Sequence, residues 1–277
     1  MAAFDCDLVG KIGSMALIRR RDKDIDYNIF ARLGADLKPG MIWVSSGATE
    51  IGRLDYLKRN GSLLQEDEMA KTDYAAQGQS ILMEWYRRFI SPQYSVRQVL
   101  VEHQHFNDAM KREHIRTLLL RAQQQNAIPI INYNDPVSDD ENRHMELMQM
   151  RWQRGEEAHI VECIDNDETA AVIATMMKAR ILLIMTSVEG IYEDPEDPST
   201  LVREIGGKDT DEVLANVREM QRHCVGASRP GANGAKAKLE FIADPVQNGT
   251  TVIIGHARHH IRELVEGTVP RTIIAAR

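Results

Sequence analysis

Two polar stretches hold the side chains best suited to bind a small ligand. Residues 132–135 (Asn-Tyr-Asn-Asp) directly follow the apolar run 127–131, and residues 164–169 (Ile-Asp-Asn-Asp-Glu-Thr) open a segment with helical character. A buried strand that ends in amides and a carboxylate, beside a second polar set at a helix start, is typical of a ligand site at the carboxyl edge of a sheet. We therefore expect both stretches to belong to one site.

Three glycine-containing segments have the composition of anion-binding turns. Gly13 closely follows Lys11, residues 45–47 (Ser-Ser-Gly) end a short apolar run, and residues 226–239 combine glycines with two lysines. Backbone N–H groups at such turns and at helix N-termini bind anions. The alternatives are a solvent-facing lysine on an edge strand and an ordinary helix cap. The third segment lacks the Gly-Lys-Ser/Thr ending of a Walker A loop.

The elements that must position these residues alternate between strands and helices. The pattern predicts an α/β fold, a three-layer αβα sandwich with a mainly parallel central sheet. Asn107 is a candidate cap for the helix that runs towards Gln125. The aromatic residues within helix 74–90 are assigned to the core or a subunit contact. Apolar runs predict strands at residues 8–18 (broken at Gly13), 41–44, 95–101, 127–131, 179–185 and 250–255, with a candidate edge strand at 267–274.

A long polar segment, residues 136–164, separates the two stretches that define the site. Loops longer than about 12–15 residues are uncommon in compact domains unless they act as lids or binding loops. We therefore expect this segment to fold over the site. His144, His159 and several methionines lie within it, but their spacing matches no known ligand set, and we predict no metal ligands on the protein.

Bulk composition restricts the class of protein. A chain of 277 residues without repeats or a linker is long enough for one large domain or for two closely joined halves. Its net charge of -7 argues against general affinity for nucleic acid or anionic membrane. Three scattered cysteines do not form a disulfide framework. No apolar run has the length of a membrane span and no signal-like segment begins the chain, so we expect a cytoplasmic protein.

Six segments, taken in order, resemble the amino-acid kinase family, and within it the glutamate 5-kinases. The resemblance implies the fold of that family and of carbamate kinase. It also implies a single domain over residues 1–277, with an acceptor-binding N-terminal half, about 1–170, and a nucleotide-binding C-terminal half, about 171–277. The matching segments are residues 11–14, 44–48, 130–135, 165–167, 186–192 and 231–239.

The resemblance implies a role for each matching residue. Lys11 and Lys238 would neutralise the transferring phosphoryl group, and Asp167 would hold both lysines. Substrate binding would fall to Ser46, Gly47, Asp135 and Asn166. Nucleotide binding would fall to Gly13, Thr186, Ser187, Ala232, Asn233, Gly234 and Lys238. Phosphoryl transfer depends on positioning and charge neutralisation, so these residue types suit it.

The chain departs from the family pattern at three places. Ile164 replaces a glycine, Ser187 replaces an aspartate, and residues 233–235 read Asn-Gly-Ala where Gly-Gly-Met is usual. The segment 136–164 is also longer than the family's connection, which bears on acceptor choice. Many glutamate 5-kinases carry a further C-terminal RNA-modification-type domain, for which we expect no room in this chain.

Three functions are compatible with these patterns. The first is phosphorylation of the side-chain carboxylate of glutamate, with ATP and Mg²⁺, for proline synthesis. The second is the same chemistry on another carboxylate, carbamate, phosphate or phosphonate. The third is a non-catalytic nucleotide-binding or anion-binding protein, for which the full set of Lys11, Asp167 and Lys238 is not needed. The family further implies a dimer or tetramer.

Overall fold

The computed structural model describes residues 4–19, 21–65, 68–138, 140–155, 160–163, 165–223 and 235–276. The strands in these ranges are β1 (Cys6–Ile12), β2 (Ile18–Arg19), β3 (Asp24–Ile25), β4 (Met41–Ser45), β5 (Ser95–Val101), β6 (Ala127–Tyr133), β7 (Ala179–Thr186), β8 (Ile191–Tyr192), β9 (Leu201–Val202), β10 (Glu204–Gly207), β11 (Thr251–His256) and β12 (Arg271–Ala276). The α-helices are α1 (Tyr27–Asp36), α2 (Ala48–Asn60), α3 (Glu68–Phe89), α4 (His103–Asn107), α5 (Ala109–Gln124), α6 (Asp140–Arg154), α7 (Asn166–Met176), α8 (Thr210–His223), α9 (Ala235–Phe241), α10 (Ala243–Gln247) and α11 (Ile261–Glu266).

Eight of the described strands form one central sheet, in the order β10-β12-β11-β7-β1-β4-β6-β5. All neighbours in it are parallel except β11 and β12. Every residue of β6 is buried, as are most of β1 and β7, which explains why these strands read as continuous apolar runs rather than as alternating patterns. The predicted mainly parallel sheet is confirmed.

Helices cover both faces of the sheet, which completes the predicted three layers. Side chains alternate between the faces along each strand: Val9 and Val44 join a core that includes α5, α7, α8 and α10, whereas Leu8 and Trp43 join one formed with α1, α2, α3 and α11. Tyr86 of α3 belongs to the second core and is 1% exposed, as expected for the aromatic residues of that helix.

Two glycines allow α2 and α3 to touch through their backbones. A Cβ atom on Gly52 would lie 1.8 Å from the Tyr74 carbonyl oxygen, and one on Gly78 would lie 1.8 Å from the Ala48 oxygen. No side chain fits such a contact, so the crossing point is fixed by sequence. It places α3 against the N-terminal turn of α2, next to the carboxyl edge of the sheet.

Three local predictions were wrong. Asn107 ends α4, and the cap of α5 is Asp108, whose side chain accepts a hydrogen bond from the Lys111 N–H. Strand β12 is not at the edge, because β10 pairs with its outer side. Residues 140–154 form α6 rather than a loop, and this helix buries Leu147.

Candidate active site

The predicted site residues gather where the central strands end. In the sheet Lys11 of β1 pairs with Val44 of β4 and with Ile184 of β7, so these three parallel strands end at the same edge. The N–H of Ser46 donates to the Ile12 oxygen at 3.1 Å and thereby joins the ends of β4 and β1. Helix α7 also begins at this edge, because its first residue, Asn166, donates a hydrogen bond of 2.9 Å to Oδ1 of Asn132 near the end of β6.

Asp167 lies between two lysines from distant parts of the chain. Its Oδ1 atom is 2.5 Å from Nζ of Lys11, and its Oδ2 atom accepts a hydrogen bond of 2.7 Å from Nζ of Lys238. The Lys11 contact is an ion pair without the alignment of a hydrogen bond. The Lys11 and Asp167 side chains are 8% and 6% exposed, and that of Lys238 is 21% exposed. Two positive charges thus share one negative charge.

The two lysines determine the charge state of Asp167. Burial by itself would raise the pKa of this carboxyl, but Lys11 and then Lys238 outweigh it and lower the pKa to about 2. The carboxylate therefore stays ionised at neutral pH and cannot act as a general base. The three side chains together carry one net positive charge and are largely excluded from water. The cluster therefore favours binding of an anion.

The start of α7 is shaped to direct Asp167 inward. Asp165 caps the helix: its Oδ1 atom accepts from the N–H groups of Asp167 and Glu168 at 2.8 and 3.0 Å. This capping fixes the first turn of α7. The helix dipole also favours carboxylates at a helix N-terminus.

Gly13 follows β1 and Gly47 follows β4, and the two positions favour glycine for different reasons. Gly13 has φ of -75°, which any residue can adopt, and an added Cβ would lie 3.7 Å from Nζ of Lys11. Its role is therefore to leave space beside that ammonium group. Gly47 has φ of +109°, and no side chain caps the N-terminus of α2 there. The α2 terminus thus offers backbone N–H groups to an anion.

The amides around Asn166, which was predicted to bind substrate, form a connected set. Asn166 donates from Nδ2 to Oδ1 of Asn132 at 2.9 Å, and the same Oδ1 atom accepts from the Tyr133 N–H at 2.9 Å. Asn132 in turn donates to Oε1 of Gln79 at 2.7 Å. Asp135 is partly buried and begins a 3-10 turn that follows β6. This turn packs against α3.

Sequence reasoning placed Asn132 in the first polar stretch without giving it a role of its own, and it did not select Gln79. Both are buried, at 2% and 8% exposure, and buried amides require hydrogen-bond partners. The available signal was the glycine next to Gln79, because a glycine in a helix interior is unfavourable unless the backbone makes a close contact there.

Of the residues predicted to bind the nucleotide, Thr186 and Ser187 lie at the end of β7 and in the turn that follows it. Thr186 ends β7 beside β11, and its Oγ1 atom accepts from the Val188 N–H at 2.9 Å to form a tight turn that includes Ser187. The Ala257 N–H donates to the Thr186 oxygen at 2.9 Å and ties the turn to β11. Ala232, Asn233 and Gly234 lie outside the described residues, as does Ile164.

Helix α6 contacts the polar stretch 132–135. Arg143 donates to the Cys163 oxygen at 3.3 Å and lies over the Tyr133 ring, 5.7 Å from its centroid. Glu146 is 2.9 Å from Nε2 of His103, whose pKa is lowered by burial despite this partner. The segment 136–164 therefore contacts the first polar stretch at Tyr133, and it contacts the second through the Glu162 N–H, which donates to Glu168 at 3.0 Å. His144 is exposed, and His159 is not among the described residues.

A model of the amino acid kinase family matches residues 8–256. The chain belongs to the amino-acid kinase family. Glutamate 5-kinase of Dehalococcoides mccartyi strain CBDB1 is 30% identical over 267 residues, which are 94% of this chain. Delta-1-pyrroline-5-carboxylate synthase B of Arabidopsis thaliana is 29% identical over 82% of the chain and 30% of its own length. The chain spans 63% of the length of the first of these relatives.

Solved structures of amino-acid kinase folds superpose on the whole chain. Carbamate kinase from Giardia lamblia bound to AMP-PNP gives a TM-score of 0.60 at 15% identity, with 100% of both chains covered. UMP kinase from Ureaplasma parvum gives 0.53 at 13% identity, with 98% of this chain and 96% of the other covered. These likenesses confirm the fold. Within the described ranges, helices long and apolar enough to cross a bilayer are absent.

Proposed function

We propose that this amino-acid kinase transfers the γ-phosphoryl group of ATP to the side-chain carboxylate of L-glutamate, forming glutamyl 5-phosphate for proline synthesis. The observation that carries the proposal is the cluster in which Lys11 and Lys238 share Asp167. The glutamate 5-kinase relatives, at 26–30% identity over most of this chain, support the choice of acceptor.

The charge state of Asp167 restricts the kind of acceptor. A hydroxyl acceptor would need a base to remove its proton, and Asp167, with a pKa of about 2, cannot take one at neutral pH. A side-chain carboxylate, with an ordinary pKa of about 4.3, is already ionised. The cluster therefore favours an acceptor that arrives as an anion.

The transfer needs no covalent intermediate on the protein. One carboxylate oxygen of the acceptor attacks the γ-phosphorus, and the bond from that phosphorus to the β–γ bridging oxygen breaks. ADP leaves with the bonding electron pair, and the acceptor becomes an acyl phosphate. Lys11 and Lys238 would neutralise charge on the phosphoryl oxygens, while the α2 N-terminus behind Gly47 would hold an anionic group by its N–H groups.

The described residues fit a magnesium ion carried by the nucleotide rather than by protein side chains. Asp167, the buried carboxylate of the cluster, is engaged by both lysines and is not available as a ligand. Mg²⁺ prefers to keep waters and phosphate oxygens in its coordination sphere. When bound, it would supply further charge neutralisation at the β- and γ-phosphates.

A second acceptor class is favoured by one observation. Helix α6 contacts the acceptor stretch through Arg143 and Tyr133, and it lies in the segment that is longer than the family's usual connection. A different small carboxylate, carbamate, phosphate or phosphonate is therefore the second candidate acceptor.

ATP turnover by the purified protein against a panel of small acids tests both candidates. Hydroxylamine traps an acyl phosphate as a hydroxamate, and we expect a hydroxamate with glutamate. Turnover with another acid and none with glutamate would exclude the first candidate. Nucleotide binding without turnover on any acid would instead favour a non-catalytic binding protein.

Compartment and assembly are also proposals. Cys6 and Cys163 are buried free thiols, which supports a reducing, cytoplasmic location. Assembly into dimers or tetramers, implied by the family, stays a prediction that sedimentation velocity can test.

A further inference from the structure

Gln79 reaches the acceptor side of the site because of the glycine crossing of α2 and α3. Gly78 contacts the first turn of α2 through the Ala48 oxygen, and Gln79 is the next residue along α3. Its Oε1 atom accepts a hydrogen bond of 2.7 Å from Asn132 at the end of β6. The crossing thus brings a helix amide to the edge where the acceptor residues lie.

The direction of every hydrogen bond in this set follows from one backbone group. The Tyr133 N–H can only donate, so the atom of Asn132 that it meets at 2.9 Å must be the carbonyl oxygen Oδ1. The Nδ2 atom of Asn132 then faces Gln79, which must present its oxygen. Asn166 must donate from Nδ2 to the same Oδ1 atom, at 2.9 Å. Amide orientation is usually open to exchange of N and O, but here it is fixed.

Gln79 contributes little to stability by this arrangement. Its Nε2 atom is buried and has no hydrogen-bond partner among the described residues. Replacing Gln79 by an apolar side chain of the same length would remove that unpaired donor and leave Nδ2 of Asn132 unpaired instead. The number of unsatisfied buried donors would not change, so the net cost is that of one hydrogen bond. The stabilisation that the amide of Gln79 supplies is therefore that of a single hydrogen bond, about 1 kcal/mol.

We propose that Gln79 is a positioning residue for the phosphoryl acceptor, acting through Asn132 on the side chain of Asn166. The inference rests on the proposed function, in which Asn166 contacts the acceptor. Asn166 is partly exposed, whereas Asn132 and Gln79 are buried behind it. Gln79 holds Asn132, Asn132 holds Asn166, and the remaining N–H of Asn166 keeps a fixed direction towards the acceptor.

A double-mutant cycle with steady-state kinetics tests this role. We expect Gln79→Met to raise KM for the acceptor about tenfold or more and to leave KM for ATP within about twofold, since a misplaced contact group affects the substrate it positions. In an Asn132→Ala background the same substitution should change acceptor KM less than about twofold, because the path to Asn166 is already broken. Additive effects of the two substitutions would overturn the proposal.

Gln77→Met is the matched control. Gln77 lies on the same helix two residues earlier, and its amide donates to Asp55 at 2.6 Å instead of to Asn132. This variant should keep both KM values. Equal losses of acceptor affinity in the Gln77 and Gln79 variants would show a general effect on α3 and contradict the inference.

Gln79→Glu covers the case in which the Asn132→Ala protein does not fold. Glutamate retains an oxygen that can accept from Asn132, so acceptor KM should stay within about threefold of the wild-type value. A loss as large as that of Gln79→Met would overturn the positioning role.

Failure of the proposed acceptor is distinguishable from failure of the positioning role. If the wild-type protein uses another acid than glutamate, the proposed acceptor is wrong, and the double-mutant cycle is measured on that acid. A protein that turns over no acid overturns both proposals.

Discussion

The Nζ atom of Lys11 lies 2.5 Å from Oδ1 of Asp167, although one residue belongs to the central strand β1 and the other to the first turn of α7. The pair is nearly excluded from water, and Lys238 of α9 completes it at 2.7 Å. Three elements from separate parts of the chain are therefore joined at one carboxylate. Most consequences of this arrangement can be measured by changing one charge at a time.

Lys238→Ala should abolish most phosphoryl transfer without unfolding the protein. The Lys238 side chain is 21% exposed, and Asp167 keeps Lys11 as a partner after the change. Removal of a group that neutralises transition-state charge typically lowers kcat by about 100–1000-fold. Lys236→Ala is the control, because Lys236 lies on the same helix and is exposed. Similar kcat values for both variants, at unchanged thermal midpoints, would show that Lys238 does not neutralise the phosphoryl group.

Asp167→Asn should lower the free energy of unfolding by about 3–5 kcal/mol at neutral pH, because it leaves two lysines without their shared counter-charge. The effect should depend on pH. The pKa of Asp167 falls from its ordinary value of 3.8 to about 2 in the folded protein. Its stabilisation is thus complete above pH 4 and is lost as the pH falls towards 2.

Urea unfolding of the wild-type and Asp167→Asn proteins between pH 5 and pH 2 measures this dependence. The difference between their unfolding free energies should shrink by about 2 kcal/mol over the lower part of the range. A difference that stays constant with pH would mean that the lysines do not hold Asp167 ionised.

The sequence was sufficient to predict which segments form strands. It was insufficient to predict the order of the strands in the sheet, which depends on contacts between residues far apart in the chain. Strands β6 and β7 were predicted because burial on both faces leaves a continuous apolar run. The inner position of β12 was not, because strand order depends on a crossover that local patterns do not record. Helix α6 was read as a loop because its polar residues outnumber the buried apolar ones among its described side chains, of which Leu147 is an example.

The site was predicted unevenly for a related reason. Lys11 and Asp167 belong to short motifs that resemble a known family, so each could be assigned separately. The contact of Gln79 with Asn132 joins α3 to β6, and it exists only because α2 and α3 cross at their glycines. Tertiary packing of this kind leaves no spacing rule in the sequence.

Gly13→Ala and Gly47→Ala should separate a functional glycine from a conformational one. At Gly13 an added Cβ meets only ordinary contacts of 3.7 and 3.8 Å at φ of -75°, so stability should change by less than about 1 kcal/mol. The methyl group would still narrow the space beside Lys11, and kcat/KM for ATP should fall. Gly47→Ala should instead lose about 1–3 kcal/mol of stability, since φ is +109° and Cβ would be 2.9 Å from Leu17.

Thermal unfolding and ATP kinetics on both glycine variants give the comparison. A Gly13→Ala protein with wild-type kinetics would show that the phosphoryl group does not bind beside Lys11. An unchanged thermal midpoint for Gly47→Ala would contradict the strained geometry at the start of α2.

Helix α6 should influence acceptor binding more than ATP binding. Arg143 holds the Cys163 oxygen and covers the Tyr133 ring, so Arg143→Ala should raise acceptor KM by about tenfold, the equivalent of one charge-assisted hydrogen bond. Deleting the segment around α6 should act in the same direction. Arg151→Ala is the control, because Arg151 lies on the same helix as Arg143 but pairs with Glu162. This variant should leave acceptor KM nearly unchanged. Equal effects on acceptor and ATP affinity would argue that α6 supports the fold and does not select the acceptor.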